Sequence, residues 1–284
     1  MARPAPGVSR TVAVLNFFAA HPEQSFTLTD ILTSLRLNRA TCHSLLAALV
    51  DEGYLYRDNS KAYRLGPALA ALGEVAHQSF QPAALARDDM RSLADELHLS
   101  CVAAARVGAE MVILERAVGG PVVGHHLHPG RRFPLRPPAG VSFIAWAPET
   151  EVREWLAGCR PALSGADQAG WRLAMERIRR QGFCFGLAGP VSGGVPAAAV
   201  DAGWLQPDHD LAAPGLPPAP VSPDEPIRLR YVSGPVLDRA GAIVCSIALY
   251  GFERPSSAEQ VRELGARVKA VADRVTSATG GRPA

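Results

Sequence analysis

The chain has no apolar run approaching the ~20 residues that a membrane-spanning helix requires, which excludes a helical span. Its first ten residues carry arginine and proline but no apolar stretch. No secretory signal is read there, and a cytoplasmic location is expected. Cysteine is scarce and scattered: Cys42, Cys101, Cys159, Cys184 and Cys245 are odd in number, with no CxxC and no histidine at metal-ligand spacing. They read as reduced, mostly buried thiols, so neither a disulfide framework nor a metal site is expected. Lysine occurs only at Lys61 and Lys269; the other basic residues are arginine. A net charge of +2 is too small to announce a nucleic-acid partner, so any such surface must be local. GxSxG, P-loop and Rossmann patterns are also absent, and Gly193-Gly194 lies in a Pro-rich stretch with no helix after it. No enzyme activity and no cofactor are expected.

What is present is a periodic N-terminal third. Val12, Leu15 and Phe18, with Val14 and Phe17 beside them, predict a helix that opens near Ser9 and ends at His21-Pro22. Thr27 with Asp30 three residues on predicts the start of a second helix, whose buried face is Leu28, Ile31, Leu32 and Leu35. After the turn Arg36-Leu37-Asn38, Asn38 caps a third helix running to about Glu52, with Cys42, Leu45, Leu46 and Leu49 inward. Gly53 follows where a positive φ costs little. Two short strands, 54–57 and 62–65, flank the turn Asp58-Asn59-Ser60-Lys61. Helix, helix, tight turn, helix and two-stranded wing make a winged helix-turn-helix.

Beyond it, Gly66-Pro67 opens a helix over 67–80 that Pro82 is expected to break. Helices are read at 84–97, 141–146, 151–157, 169–181 and 256–276, and strands at 101–106, 111–116, 122–127, 228–237 and 242–250. Residues 187–226 shift to Pro, Ala and Gly and read as a long loop. The fold class is α+β, with an antiparallel sheet in the second half. The expected domains are a winged helix-turn-helix over 1–66, a linker helix over 67–82, and a ligand-sensing domain over 83–284.

A recognition helix needs an inner apolar stripe and an outer face of short or polar residues that fits the major groove. Helix three offers Arg39, Ala40, Thr41, His43 and Ser44 outward, with Asn38 at its cap counted among the DNA-binding residues, and the wing adds Arg57, Asn59, Lys61 and Arg64 for phosphates or the minor groove. Ser9 and Arg10 stand where the start of helix one is expected to hold a phosphate. Tyr54, Tyr56 and Tyr63 read as hairpin packing. His125, His126 and His128 form a cluster, but without partner ligands elsewhere they read as a polar strand end. Double-stranded operator DNA is the expected partner. The alternative is an enzyme or a protein-interaction module that uses the winged helix for dimerisation, and retention of specific DNA separates the two.

From Ser9 through the linker the sequence resembles the IclR family of bacterial regulators. RATCHSLLAALVDEGYL is similar to that family's recognition helix, and KAYRLGPAL to its wing exit, where Tyr-x-Leu-Gly is usual. The family commonly has arginine just before the two leucines of helix three; Ser44 stands there instead. Later segments resemble it more weakly: GRRFPLRPPAGVSFIAW, RRQGF at 179–183, and YVSGPVLDRAGAIVCSIALYGF. The Pro-rich stretch stands where the family often carries acidic, pocket-lining residues. The resemblance implies a GAF-like effector-binding domain, a homodimer or homotetramer, and a small-molecule effector. It implies that Tyr231, Ala248 and Tyr250 line the pocket, with Gly140 and Ser142 near a helix N-terminus that faces the ligand. Relatives that bind small organic acids often carry a polar residue at the position of Ala248. Alanine there, beside two tyrosines, points to a larger or more aromatic ligand, with Arg132 and Arg136 available to attract a carboxylate.

Overall fold

The computed structural model describes residues 5–21, 23–79, 81–120, 127–137, 139–159, 162–187 and 226–284. The chain forms two compact units that divide between residues 80 and 81.

The N-terminal unit runs α1 (Pro6–Ala19), β1 (Phe26–Thr27), α2 (Leu28–Ser34), α3 (Arg39–Asp51), β2 (Leu55–Arg57), β3 (Ala62–Leu65) and α4 (Pro67–Ser79). A proline in the first turn loses no helical hydrogen bond, which lets α1 begin ahead of the expected Ser9. At α2 the Thr27 hydroxyl accepts from the Asp30 amide while the Asp30 carboxylate accepts from the Thr27 amide at 2.8 Å, a reciprocal cap. Val14, Phe18, Ile31, Cys42 and Leu46 form the core, none more than 1% exposed. Burying each of the larger side chains contributes roughly 1.5–3 kcal/mol. Val12, expected in the same stripe, is 48% exposed. It lies two residues from Val14, about 200° around the helix, so the two cannot share a face.

Both helices of the helix-turn-helix end in the same way. The Leu37 amide donates to the Leu32 carbonyl and the Arg36 amide to Thr33; the Tyr54 amide donates to Leu49 and the Gly53 amide to Val50. The left-handed residue of this motif is Gly53 (φ 72) after α3 but Arg36 (φ 50) after α2. Gly66 then passes so close to Gly53 that a β-carbon on it would lie 2.2 Å from the Gly53 carbonyl oxygen. This approach, sealed by the Gly66 amide donating to Tyr54 at 2.8 Å, turns the wing into α4. The two-residue β1, too short for any alternation to reveal, pairs with β3 and completes a sheet of order β1-β3-β2.

The C-terminal unit runs α5 (Gln81–Leu97), β4 (Ser100–Val107), β5 (Glu110–Val118), β6 (Arg132–Pro134), α6 (Val141–Ile144), α7 (Glu149–Ala157), α8 (Gly165–Gln181), β7 (Cys184–Leu187), β8 (Leu229–Leu237), β9 (Ile243–Tyr250) and α9 (Ala258–Ala278). Its antiparallel sheet has the order β6-β5-β4-β9-β8-β7. Helices α5 and α9 pack on one face: a β-carbon at Gly234 of β8 would meet Val268 and Ala272 of α9. The opposite face carries a core of Phe143, Trp155, Trp171, Met175 and Cys184, with Tyr231 and Ala104 packed against it.

Several expectations change here. Pro82 sits in the first turn of α5, where it is tolerated, so that helix begins at Gln81. The helix expected over 141–146 is a single turn of four residues. Strands β6 and β7 were not anticipated. Of the strand expected at 122–127, Leu127 is buried but not in a strand, and the remainder lies outside the described residues. Most of the 187–226 loop also lies outside them. All five cysteines are buried thiols, none in a disulfide. No helix among the described residues is long and apolar enough to cross a membrane.

Candidate nucleic-acid interface and ligand site

The cap and the inner stripe fix the rotation of α3. The Asn38 side-chain oxygen accepts from the Thr41 amide at 2.8 Å, which leaves its amide group for outside contacts. Cys42, Leu46 and Leu49 face the core, so Arg39, His43 and Ser44 are exposed and Thr41 is half-buried. In the wing, Arg57 stands opposite Tyr63 and Arg64 opposite Tyr56 in the β2–β3 register. Each guanidinium lies over its tyrosine ring, at 5.3 and 4.7 Å from the centroid. Such contacts, worth about 0.5–1 kcal/mol at exposed sites, hold the charges outward in a defined place. The tyrosines thus pack as expected and also seat the wing arginines. At the tip, one Asp58 oxygen accepts from the amides of Ser60 (2.9 Å) and Ala62 (3.0 Å) and from the Ser60 hydroxyl (2.6 Å). The Ser60 hydroxyl, then these amides, hold the Asp58 carboxyl below its ordinary 3.8. Lys61 is exposed at φ 66, presenting its ammonium from the turn.

One part of the expected interface is corrected. Ser9 lies inside α1: its amide donates to the Ala5 carbonyl at 3.1 Å and its hydroxyl to the same oxygen at 3.3 Å. It therefore offers no free helix-terminal amide to a phosphate. Arg10 remains exposed beside it.

In the second unit the sheet face opposite α5 and α9 is built in rows. The first row places Ser100 of β4 opposite Tyr250 of β9, Tyr250 opposite Tyr231 of β8, and Tyr231 opposite Gly186 of β7. The second places Val102, Ala248, Ser233 and Cys184 in line, and the third Ala104, Ser246 and Pro235. Side chains alternate between faces, so these rows share one face. Tyr231, Ala248 and Tyr250 are therefore neighbours, with the two rings 6.0 Å apart and tilted by 37°. Gly186 makes room for this arrangement, because a β-carbon there would lie 2.3 Å from the Tyr231 ring. Burial, with Cys184 and Tyr250 close by, holds the Tyr231 phenol well above 10, and Arg230 acts in the opposite sense. Burial pushes the Cys184 thiol up to about 12 against a hydrogen bond with Ser233. The Ser233 and Ser246 hydroxyls share a buried hydrogen bond of 2.6 Å.

Ser142 is 7% exposed on α6, which packs against β8 and β9. Gly140 precedes it at φ 83, against Leu135. With only four residues, α6 lacks the aligned peptides that would make its end a ligand-facing dipole. Arg132 is already paired with Glu110 at 2.7 Å, and Arg136 is exposed. The sequence reading missed Ser100, Gly186, Ser233 and Ser246. The available signal was small or polar residues at alternate positions of otherwise apolar strands. Of the histidine cluster, His125 and His126 lie outside the described residues. Among the described residues, no group of His, Cys, Asp and Glu is placed to hold a metal.

Residues 7–59 match the family described as the IclR helix-turn-helix domain. The HTH-type transcriptional regulator KipR of Bacillus subtilis is 27% identical over 150 residues, 52% of this chain and 59% of that protein, so less than two thirds of KipR is spanned. The crystal structure of an IclR transcriptional regulator from Alicyclobacillus acidocaldarius superposes with a TM-score of 0.72 at 21% identity, covering 98% of this chain and 100% of that one. An IclR homolog from Microbacterium hydrocarbonoxydans, solved in complex with 4-hydroxybenzoate, gives 0.67 at 16% identity over 96% and 99% of the two chains. At these identities the two structures establish the shared fold. The proteins matched are regulators rather than enzymes. The chain thus carries an IclR-type helix-turn-helix domain over residues 7–59 and shares its overall fold with solved IclR regulators.

Proposed function

We propose that this protein binds double-stranded operator DNA through α3 and the β2–β3 wing, and that a small organic effector on the rowed sheet face modulates that binding. The observation that carries the DNA reading is the exposed face of α3, Arg39, His43 and Ser44, beside wing arginines braced on tyrosines. Short polar side chains fit the major groove, and the wing charges suit phosphates. Arg39→Ala is expected to weaken operator binding by roughly 1–3 kcal/mol if it reads a base edge. Binding isotherms on operator and random DNA test this: an equal loss on both assigns Arg39 to phosphate, and no loss on either removes it from the site.

A single winged helix reads a short half-site, so the protein acts as a homodimer or homotetramer in the cytoplasm. Leu72 and Val75 of α4 are 51% and 62% exposed, three residues apart, and supply an apolar stripe for pairing. Sedimentation at micromolar concentration is expected to show no monomer. The effector is acidic or aromatic. This reading is supported by the tyrosine pair and Ala248, and by the IclR homolog solved with 4-hydroxybenzoate. A stabilising ligand whose effect survives both Tyr231→Ala and Tyr250→Ala sinks the pocket assignment.

A further inference from the structure

The rowed face contains a buried hydroxyl that the described residues do not satisfy. Ser100 is 1% exposed, and its hydroxyl has no hydrogen-bond partner among the described residues. Its Cα is directly opposite that of Tyr250 on one side and that of Val118 on the other, in a row that continues through Tyr250 to Tyr231. Directly opposed side chains in an antiparallel pair start only about 5 Å apart. Around it the face carries Val102, Ala248, Phe133 and the two tyrosine rings, with Arg116 of β5 opposite Val102. The other buried hydroxyls of the rows, Ser233 and Ser246, already satisfy each other. A buried hydroxyl without a partner destabilises the folded chain, and alanine would fill the same strand position without that penalty.

We propose that the Ser100 hydroxyl is a specificity-determining contact of the effector site, making a hydrogen bond to a hydroxyl or carbonyl group of an aromatic ligand that lies against Tyr250 and Tyr231. The inference rests on the effector reading above and deepens it. A site with an unsatisfied buried hydroxyl favours ligands that complete the bond over isosteres that cannot. The tyrosines supply flat aromatic surfaces for an aromatic body.

The test uses the purified full chain, with calorimetric titration and thermal shift. The probes are phenol, 4-hydroxybenzoate and acetophenone, set against toluene and ethylbenzene, which lack the hydrogen-bonding group. The variants are Ser100→Ala, Ser100→Thr and Tyr250→Ala. Wild type is expected to prefer at least one hydroxyl- or carbonyl-bearing probe over its apolar isostere. Ser100→Ala is expected to weaken that probe about tenfold and leave the isostere unchanged, with Ser100→Thr retaining the preference. The ligand-free melting temperature of Ser100→Ala is expected to equal or exceed that of wild type, because no protein partner is lost. A lower ligand-free melting temperature overturns the proposal by showing a structural partner. Loss of binding in Tyr250→Ala with none in Ser100→Ala overturns it while leaving the effector site standing. Binding indifferent to both substitutions, or no binding of any probe, overturns the proposal and the site together.

Discussion

The recognition surface of the first unit and the rowed sheet face of the second are assembled in opposite ways. Asn38 through Arg64 hold a cap, a helix, a turn and a hairpin, and the cap of α3 and the rings under Arg57 and Arg64 come from within that stretch. The sheet face instead draws Ser100, Cys184, Tyr231 and Tyr250 from four strands, with β4 seated directly against β9. A local surface tolerates distant substitutions and is written in short-range residue types. A face built by long-range pairing depends on packing on both sides of the sheet. Substitutions in the two units should therefore act separately.

The largest effect is expected at Gly66. A β-carbon would meet backbone rather than a movable side chain, so Gly66→Ala should cost the N-terminal unit about 3 kcal/mol, read from a urea melt followed by Tyr54 and Tyr63 fluorescence. The second unit, followed by its tryptophans Trp155 and Trp171, should melt as before; a joint shift would break the comparison. Next is the serine pair. Ser246→Ala leaves the buried Ser233 hydroxyl with only the weak Cys184 thiol contact and should cost about 1–2 kcal/mol, whereas adding Ser233→Ala should recover part of it. A cycle in which the two losses simply add would show that the pair does not act as a unit.

A gain of about 1 kcal/mol is expected from Arg36→Gly, because an L side chain is strained in the left-handed conformation that ends α2. Gly53, which ends α3 through the same hydrogen bonds, sharpens this prediction: Gly53→Ala should lose a similar amount. The smallest effect is in the wing turn. The Asp58 carboxyl is depressed in the folded chain, so its contribution is complete above its unfolded value of about 3.8 and is lost as pH falls through the lower folded value. Backbone amide shifts of Ser60 and Ala62, followed by NMR from about pH 5 down to pH 2, should report that loss, and Asp58→Asn should abolish it.

Local signals carried the first unit well. Thr27 with Asp30, Asn38 before Arg39, and Gly53 after the third helix each place a backbone terminus by short-range chemistry, and the structure puts the caps there. The same logic failed at Ser9, because a proline upstream can start the helix sooner without losing a hydrogen bond. In the second unit, helix and strand types were legible from periodicity, but β6 and β7 were not. Strands of three and four residues show too little alternation, and their existence depends on a neighbour to pair with.

By itself, then, the sequence determined the winged helix-turn-helix, the polar outer face of α3 and the antiparallel closing strands, because caps, turns and apolar periods act within a few residues. Only the tertiary structure decided which residues share the rowed sheet face. Strand order and register are set by burial on both sides of the sheet, and a shift of one residue would exchange Tyr250 for Leu249 and Ser100 for Cys101. The same pairing left the Ser100 hydroxyl buried without a partner among the described residues, a property that belongs to the assembled sheet and to no segment of the chain.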